Sequence, residues 1–121
     1  MLFRSYGSGK QTRTFCYITD ALSGFIRALL LGIPGEPYNI GNPEPELSML
    51  ALAERIQTIV QAPLTVDTID YPDSYPADEP LRRCPDITKS KYQLQFQPNV
   101  SLDTGLTAFF DWALAHYSGK Q

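Results

Sequence analysis

Cysteine and histidine are nearly absent from this chain, and it has no long apolar run. The only cysteines are Cys16 and Cys84, and the only histidine is His116. Because the cysteines have neither CxxC spacing nor the density of a disulfide scaffold, we expect reduced thiols, a cytoplasmic location and no metal site. The apolar run at residues 28–31 is far too short to span a bilayer, and residues 1–9 have no apolar segment typical of a signal peptide. We therefore expect no membrane partner.

Long basic runs are missing as well. The chain has 10 basic and 13 acidic residues, a net charge of -3, and no basic run longer than the pair Arg82-Arg83. Binding along a nucleic-acid backbone normally requires a broad cationic face. The composition therefore argues against nucleic acid as the main partner.

The apolar pattern predicts an α/β domain of about four helices and a few short strands. A chain of 121 residues fits one domain with a single core. Thr19 or Asp20 is predicted to cap the first helix, and Gly32 to end it. Apolar residues recur around most of this helix and its polar face is short, so we expect it to be largely covered.

Three further helices are predicted. Ser48 is expected to cap the second, which ends at Pro63. A brief third helix is capped by Asp86 or Thr88 and runs through Leu94. The last begins after a cap at residue 101 and continues for about 16 residues with one apolar face.

Short extended segments are predicted between the helices. Residues 14–18 are aromatic and β-branched enough for a strand, residues 64–69 alternate loosely between apolar and polar, and residues 38–40 form a very short extended run. Residues 71–80 contain several prolines and acids, which excludes a helix or a central strand. That segment is predicted to be a surface loop that leads to Arg82 and Arg83.

The glycine-punctuated turn at residues 6–10 ends in Gly9-Lys10, which invites comparison with a Walker phosphate loop. Arg4 occupies the position of the first Walker glycine, and Gln11 follows the lysine where Ser or Thr is required. The match fails, and a turn that leads into a strand is the better interpretation.

Two arginines distant in sequence suggest an anion site. Arg13 and Arg83 each lie beside a turn, and a planar guanidinium grips phosphate oxygens in pairs. If the chain folds back between them, both can reach one diphosphate. The alternative for Arg13 is an ion pair that holds the loop to the domain, for instance with Asp20 or Asp86. Arg82 is expected to face solvent or to pair within the chain.

Other polar and aromatic residues have plainer interpretations. Cys16 and Cys84 are expected to be inert, and His116 is expected at the surface or partly buried on the last helix. Tyr71 and Tyr75 either stack on a base or pack along the proline-rich loop, and packing is favoured.

Four segments, in order, carry a resemblance to a known family: residues 7–20 (GSGKQTRTFCYITD), 38–44 (YNIGNPE), 82–89 (RRCPDITK) and 100–106 (VSLDTGL). They resemble the C-terminal part of extended short-chain dehydrogenases/reductases of the NAD-dependent epimerase/dehydratase family that act on nucleotide sugars. The resemblance extends over nearly the whole chain. The Gln-Thr-Arg and Arg-x-Pro-Asp versions are most similar to UDP-glucuronate decarboxylases, with dTDP-glucose 4,6-dehydratases and UDP-sugar 4-epimerases next.

The resemblance implies that residues 1–121 form a sugar-nucleotide-binding C-terminal domain, with a UDP- or dTDP-sugar as ligand. It implies that Arg13 and Arg83 clamp the diphosphate, and that Asp86 accepts a hydrogen bond from the ribose or neighbouring groups. It further implies that Tyr6 and Gln11 line the nucleotide pocket.

In this family the glycine-rich dinucleotide loop, the catalytic Ser/Thr and the Tyr-x-x-x-Lys pair belong to an N-terminal Rossmann half. We expect this chain to lack that half and to be a fragment, with no catalytic or cofactor-binding residues and no catalysis alone. The parent lyase chemistry would be NAD-dependent oxidation at C4 of the sugar, then decarboxylation, elimination or epimerisation. Apolar surface left uncovered predicts a homo-oligomer or a Rossmann-domain partner. The alternative is a stand-alone, non-catalytic binding or self-assembly module derived from the same lobe.

Overall fold

The computed structural model describes residues 2–74 and 79–117. In these ranges the chain forms four helices and five short strands, as the predicted α/β class requires. In chain order they are β1 (Leu2–Tyr6), β2 (Thr12–Arg13), α1 (Ile18–Leu31), β3 (Leu47–Ser48), α2 (Met49–Val60), β4 (Thr65–Ile69), β5 (Arg82–Arg83), α3 (Thr88–Leu94) and α4 (Leu102–Tyr117).

The strands form two small sheets. β1 pairs in parallel with β4, from Leu2 opposite Thr65 to Tyr6 opposite Ile69. In the other sheet β2 is central, antiparallel to β3 and parallel to β5. The strand predicted at residues 64–69 is confirmed as β4. The strand predicted at residues 14–18 is wrong, because the sheet pairing ends at Arg13 and α1 already begins at Ile18.

The start of α1 differs from the prediction, whereas its end at Gly32 is confirmed. The helix begins after Tyr17, which makes no side-chain cap bond. Asp20 cannot cap it, because its carboxylate accepts hydrogen bonds from the backbone N–H groups of Asn99 (3.0 Å) and Val100 (2.8 Å). The acid predicted to begin the helix instead joins it to the segment that precedes α4.

The other predicted helices are confirmed with small changes at their ends. Ser48 Oγ accepts the N–H of Ala51 at 3.1 Å and so caps α2. The third helix ends at Leu94 as predicted, but it begins at Thr88, so Thr88 is not its cap; Asp86 Oδ1 accepts the Thr88 N–H at 2.8 Å just before it. The last helix has 16 residues.

The core is small and lies between α2 and α4. Leu52, Ile56 and Leu102 are its buried residues, and partly buried aromatic residues such as Phe15 pack around them. Phe96 is buried beside α1 and is 1% exposed. An ideal Cβ at Gly24 would lie 3.0 Å from the Phe96 ring, so the absence of a side chain there lets α1 approach closely.

The rest of α1 is not covered, so the prediction that this helix is largely covered is wrong for the chain by itself. Leu29 is 84% exposed, Leu30 73%, Phe25 60% and Ile26 57%. Helical spacing identifies an apolar face, but it does not say which part of the molecule covers that face. We call these four residues the α1 apolar face. Across the described ranges, no helix is both long and apolar enough to cross a membrane.

Candidate functional site

Strand pairing brings Arg13 and Arg83 together. Arg13 of β2 is the register partner of Arg83 in the parallel strand β5. The Thr12 N–H donates to the Leu81 carbonyl at 2.8 Å and fixes this register. The two guanidinium groups therefore start from neighbouring positions on one small sheet, and we call them the arginine clamp.

Both clamp arginines bind the carboxylate of Glu79. Arg13 Nη2 lies 2.6 Å from Glu79 Oε1, and Arg83 Nη2 lies 3.2 Å from Oε2. Arg13 Nη1 also donates to the Thr12 carbonyl at 2.8 Å. The expected alternative of an ion pair at Arg13 is correct in kind but wrong in partner, since the acid is Glu79 and neither Asp20 nor Asp86.

The clamp borders an open cavity of about 610 Å³. Asp86 lines this cavity, and hydrogen bonds from the Thr88 side chain and backbone lower the pKa of Asp86 below its ordinary value. Asn39 Nδ2 donates to the Asp86 carbonyl at 2.9 Å, so the turn that begins at Asn39 is held against the segment after β5. The carboxylate of Asp86 is thus ionised and positioned on the cavity wall at neutral pH.

Arg82 also lines the larger cavity, but it pairs with Glu46 and not with Glu79. Its Nε and Nη2 lie 2.9 and 2.7 Å from the two carboxylate oxygens, and Thr12 Oγ1 donates to Oε1 at 2.5 Å. The Arg82 guanidinium, followed by Thr12, lowers the pKa of Glu46. The side chain of Arg82 is 66% exposed, which agrees with its expected intramolecular or solvent-facing role.

A second, smaller cavity of about 270 Å³ adjoins the first at Arg13. Tyr6 and Gln11 line it, together with Tyr71 and Glu79. The rings of Tyr6 and Tyr71 stack with centroids 5.7 Å apart and an interplanar angle of 23°. Gln11 Nε2 donates to the Tyr6 carbonyl at 2.9 Å, so one wall of the cavity is aromatic and another presents an amide.

Glycine is required beside this aromatic pair. Gly7 has φ of 65°, and a Cβ there would lie 2.6 Å from Cε2 of Tyr71. Only a residue without a side chain allows both the turn and the close approach of the ring.

The structure thus brings all five predicted site residues to two adjoining cavities. Tyr6 and Gln11 lie on one side of Arg13, and Arg83 and Asp86 lie on the other. Sequence reasoning missed Glu79. Its i, i+4 spacing to Arg83 was an available signal, but the acid lies in a proline-rich segment that predicts only a loop.

Tyr71, expected to pack along the proline-rich loop, instead packs on the Tyr6 ring and against Gly7, and it lines the smaller cavity. Tyr75, the other tyrosine of the loop, lies outside the described residues.

Cys16 and Cys84 both line the larger cavity, whereas His116 lies in the last turn of α4. Burial, and next the charge of Asp20, raise the pKa of the Cys16 thiol, so it stays protonated and is a poor nucleophile at neutral pH. Cys84 Sγ lies 3.5 Å from the Pro43 carbonyl. His116 Nδ1 lies 2.7 Å from the Trp112 carbonyl on α4.

Tyr6 and Lys10 have the spacing of a Tyr-x-x-x-Lys pair, which corrects the expectation that this spacing is missing. They do not have its geometry. Residues four apart share a face only on a helix, whereas Gly7 and Gly9 between them have φ of 65° and 69° in a turn. The Tyr6 ring is stacked on Tyr71, so this pair offers no helical catalytic dyad.

No family model matches the chain, but individual proteins do. It is 42% identical over 101 residues to UDP-glucuronic acid decarboxylase 1 of Arabidopsis thaliana. The aligned region is 84% of this chain and 22% of that protein. It is 38% identical to UDP-N-acetyl-alpha-D-glucosaminuronate decarboxylase of Bacillus cytotoxicus, covering 88% of this chain and 34% of that protein. The chain thus spans a third or less of the length of several of these curated relatives.

Solved structures agree over almost the whole chain. UDP-glucuronic acid 4-epimerase from Bacillus cereus, in complex with UDP-glucuronic acid and NAD, superimposes with a TM-score of 0.83 at 34% identity, over 94% of this chain and 35% of the epimerase. DesIV, a dTDP-glucose 4,6-dehydratase from Streptomyces venezuelae, gives a TM-score of 0.84 over 97% of this chain and 35% of its own, at 24% identity, and supports the fold alone.

Over nearly its whole length this chain is similar to the C-terminal part of extended short-chain dehydrogenases/reductases. Its four helices and short strands correspond to the C-terminal lobe of those enzymes. The family resemblance derived from the four sequence segments is therefore confirmed, together with the α/β fold class. The ligand roles of Tyr6, Gln11, Arg13, Arg83 and Asp86 stay predictions.

Proposed function

We propose that this chain is the nucleotide-sugar-binding part of an NAD-dependent sugar-nucleotide decarboxylase, dehydratase or epimerase of this family, and that it is not catalytic alone. Its relatives include decarboxylases of UDP-sugar acids, and the epimerase of similar fold has UDP-glucuronic acid bound. UDP-glucuronate or a related UDP- or dTDP-sugar is the expected ligand.

The observation that carries this proposal is the arginine clamp. Arg13 and Arg83 are separated by most of the chain, yet they meet on one carboxylate at the edge of an open cavity. An anion that binds two guanidinium groups in this way can equally be a diphosphate, because charge-assisted paired bonds suit both carboxylate and phosphate oxygens.

The two cavities assign the remaining parts of the ligand. The base would enter the smaller cavity beside the Tyr6 and Tyr71 rings, with Gln11 as a hydrogen-bonding group. The diphosphate would lie at Arg13, where the cavities adjoin. Asp86, on the wall of the larger cavity, would accept a hydrogen bond from a ribose or sugar hydroxyl.

The residues of this chain do not fit NAD. The sequence has no Gly-x-x-Gly-x-x-Gly loop, and the turn at residues 6–10 leads to β2 instead of opening a helix. NAD and the redox step would belong to a Rossmann domain that docks on this lobe, and we assign no step of that chemistry to this chain.

Isothermal titration with UDP, dTDP and UDP-glucuronate tests the proposal. We expect saturable binding by the 121-residue chain, and a loss of at least about tenfold in affinity for Arg83→Ala, since a charge-assisted bond contributes about 1.5–3 kcal/mol. Arg55→Ala is the matched control. It removes the same charge from an ion pair with Asp103 between α2 and α4, and its binding should be unchanged. Flat titrations with a folded chain would contradict the proposal.

The α1 apolar face favours a second candidate, a non-catalytic self-assembly module. Four large apolar side chains on one helix are each more than half exposed, and such patches mark association surfaces. A folded oligomer that binds none of the three nucleotides would support this candidate over the first.

A further inference from the structure

The carboxylate of Glu79 stands at the position that a phosphate group would take between the clamp arginines. Its two oxygens are divided between them, Oε1 to Arg13 and Oε2 to Arg83. The side chains of Glu79 and Arg13 are only 20% and 18% exposed, so solvent screens their ion pair less than a surface pair. An incoming anion cannot bind both guanidinium groups in this manner while Glu79 does.

The balance of charges around the larger cavity also disfavours diphosphate binding while Glu79 is in place. Among the described residues, three arginines line the larger cavity. Three carboxylates either pair with these arginines or line the same cavity, so the six side chains together have no net positive charge. A diphosphate carries more than one negative charge, and it needs a cationic site. The residues are Arg13, Arg82 and Arg83 against Glu46, Glu79 and Asp86.

We propose that Glu79 is an internal competitor of the diphosphate: its carboxylate occupies the arginine clamp in the free chain and is displaced when the ligand binds. This inference rests on the proposed function and adds a determinant of affinity to that site. The apparent affinity equals the intrinsic affinity multiplied by the fraction of molecules in which the site is free, so a site that is often occupied binds more weakly. Glu79 therefore weakens binding and favours ligands with enough charge to replace it.

The opposite role for Glu79 is a purely structural one, in which it holds the two arginines in the geometry that the ligand needs. The two roles predict opposite signs. Removing a competitor makes ligand binding tighter, whereas removing a structural support makes ligand binding weaker.

The test is isothermal titration of the full chain with inorganic pyrophosphate and with UDP, at one fixed low ionic strength. Glu79→Gln and Glu79→Ala should each bind both probes about three- to tenfold more tightly than the unchanged chain, the range that a weak competing ion pair implies. Glu46→Gln is the matched control. It removes the same charge from Arg82 at the same cavity but leaves the clamp occupied, and it should change affinity by less than about twofold.

Equal or weaker binding by both Glu79 variants overturns the inference, and so does an equal gain in Glu46→Gln, which would show a general charge effect. If the Glu79 variants do not fold, a crystal structure of the unchanged chain with pyrophosphate decides. Glu79 withdrawn from both arginines supports displacement, and Glu79 still bound to both beside the ligand refutes it.

Failure of the proposed function gives a different result. If no chain binds either probe, the nucleotide site itself is refuted and this inference with it. If the unchanged chain binds, Arg83→Ala does not, and Glu79→Gln shows no gain, only the competitor role is refuted.

Discussion

Arg13 and Arg83 are register partners in two parallel strands, and their guanidinium groups meet on the two oxygens of one carboxylate. They nevertheless differ in environment, since the side chain of Arg13 is 18% exposed and that of Arg83 is 59% exposed. Arg13 also bonds a backbone carbonyl. The same clamp therefore has one member anchored to the backbone and one that faces solvent, and substitutions at the two should separate binding from stability.

Replacing each clamp arginine by lysine should weaken UDP binding by about tenfold, because an ammonium group cannot make the paired bonds of a guanidinium. Arg13→Lys should also lower the melting temperature by about 3–6 °C, as expected for a loss near 1 kcal/mol in a domain of this size. Arg83→Lys should leave it unchanged. Titration calorimetry and thermal denaturation measure the two effects, with Arg55→Lys as control. Equal melting temperatures for the two clamp variants would contradict the difference in environment.

The candidate site residues could be selected from the sequence because they lie in short motifs whose chemistry is local, and their ligand roles stay predictions. Arg13 and Arg83 follow from guanidinium chemistry and the family resemblance. Glu79 did not follow, because its role depends on where a proline-rich loop returns in space. Asp20 shows the same limit, since its position suggested a helix cap and its actual partners are the backbone of Asn99 and Val100.

The fold was predictable to the same extent. Helical spacing and caps gave four helices, and the prediction was wrong where tertiary contacts decide, as at residues 14–18. The exposure of α1 was also mispredicted. Its apolar residues are typical of a helix packed against other elements. The spacing of those residues does not show whether such elements are present.

Gly24→Ala should destabilise the chain although alanine is the better helix former. Alanine favours a helix interior by about 1 kcal/mol over glycine. Its Cβ, however, would lie 2.3 Å from Cγ2 of Ile40 and 3.0 Å from the buried Phe96 ring, and overpacking costs about 1–3 kcal/mol. We expect a net loss of about 1–2 kcal/mol in chemical denaturation. Ser23→Ala, at the exposed neighbouring position, should change stability by less than about 0.5 kcal/mol. A more stable Gly24→Ala chain would refute the close approach of α1.

Asp20→Ala should destabilise the chain by about 2 kcal/mol, because two backbone N–H groups lose their acceptor in a site where Asp20 is only 8% exposed. Asp20→Asn retains an oxygen at the same place, and it should lose about half as much. Asp111→Ala on the exposed side of α4 is the control. The free energy of unfolding of the three variants is measured by urea denaturation. Similar losses of stability for Asp20→Asn and Asp20→Ala would mean that the acceptor oxygen does not stabilise the contact between α1 and the segment before α4.

The α1 apolar face should cause concentration-dependent self-association of the isolated chain, and a charge-neutral double substitution should abolish it. Phe25→Glu with Leu29→Lys replaces two side chains that are 60% and 84% exposed, and the new pair has the favourable i, i+4 order within the helix. We expect the sedimentation coefficient of the unchanged chain to rise with concentration and that of the double variant to stay constant. Tyr92→Gln removes an aromatic ring that is 80% exposed on α3, and it should behave like the unchanged chain. If the unchanged chain sediments as a single monomer at the highest concentration reached, the exposed face does not drive assembly, and its apolar residues require a different partner.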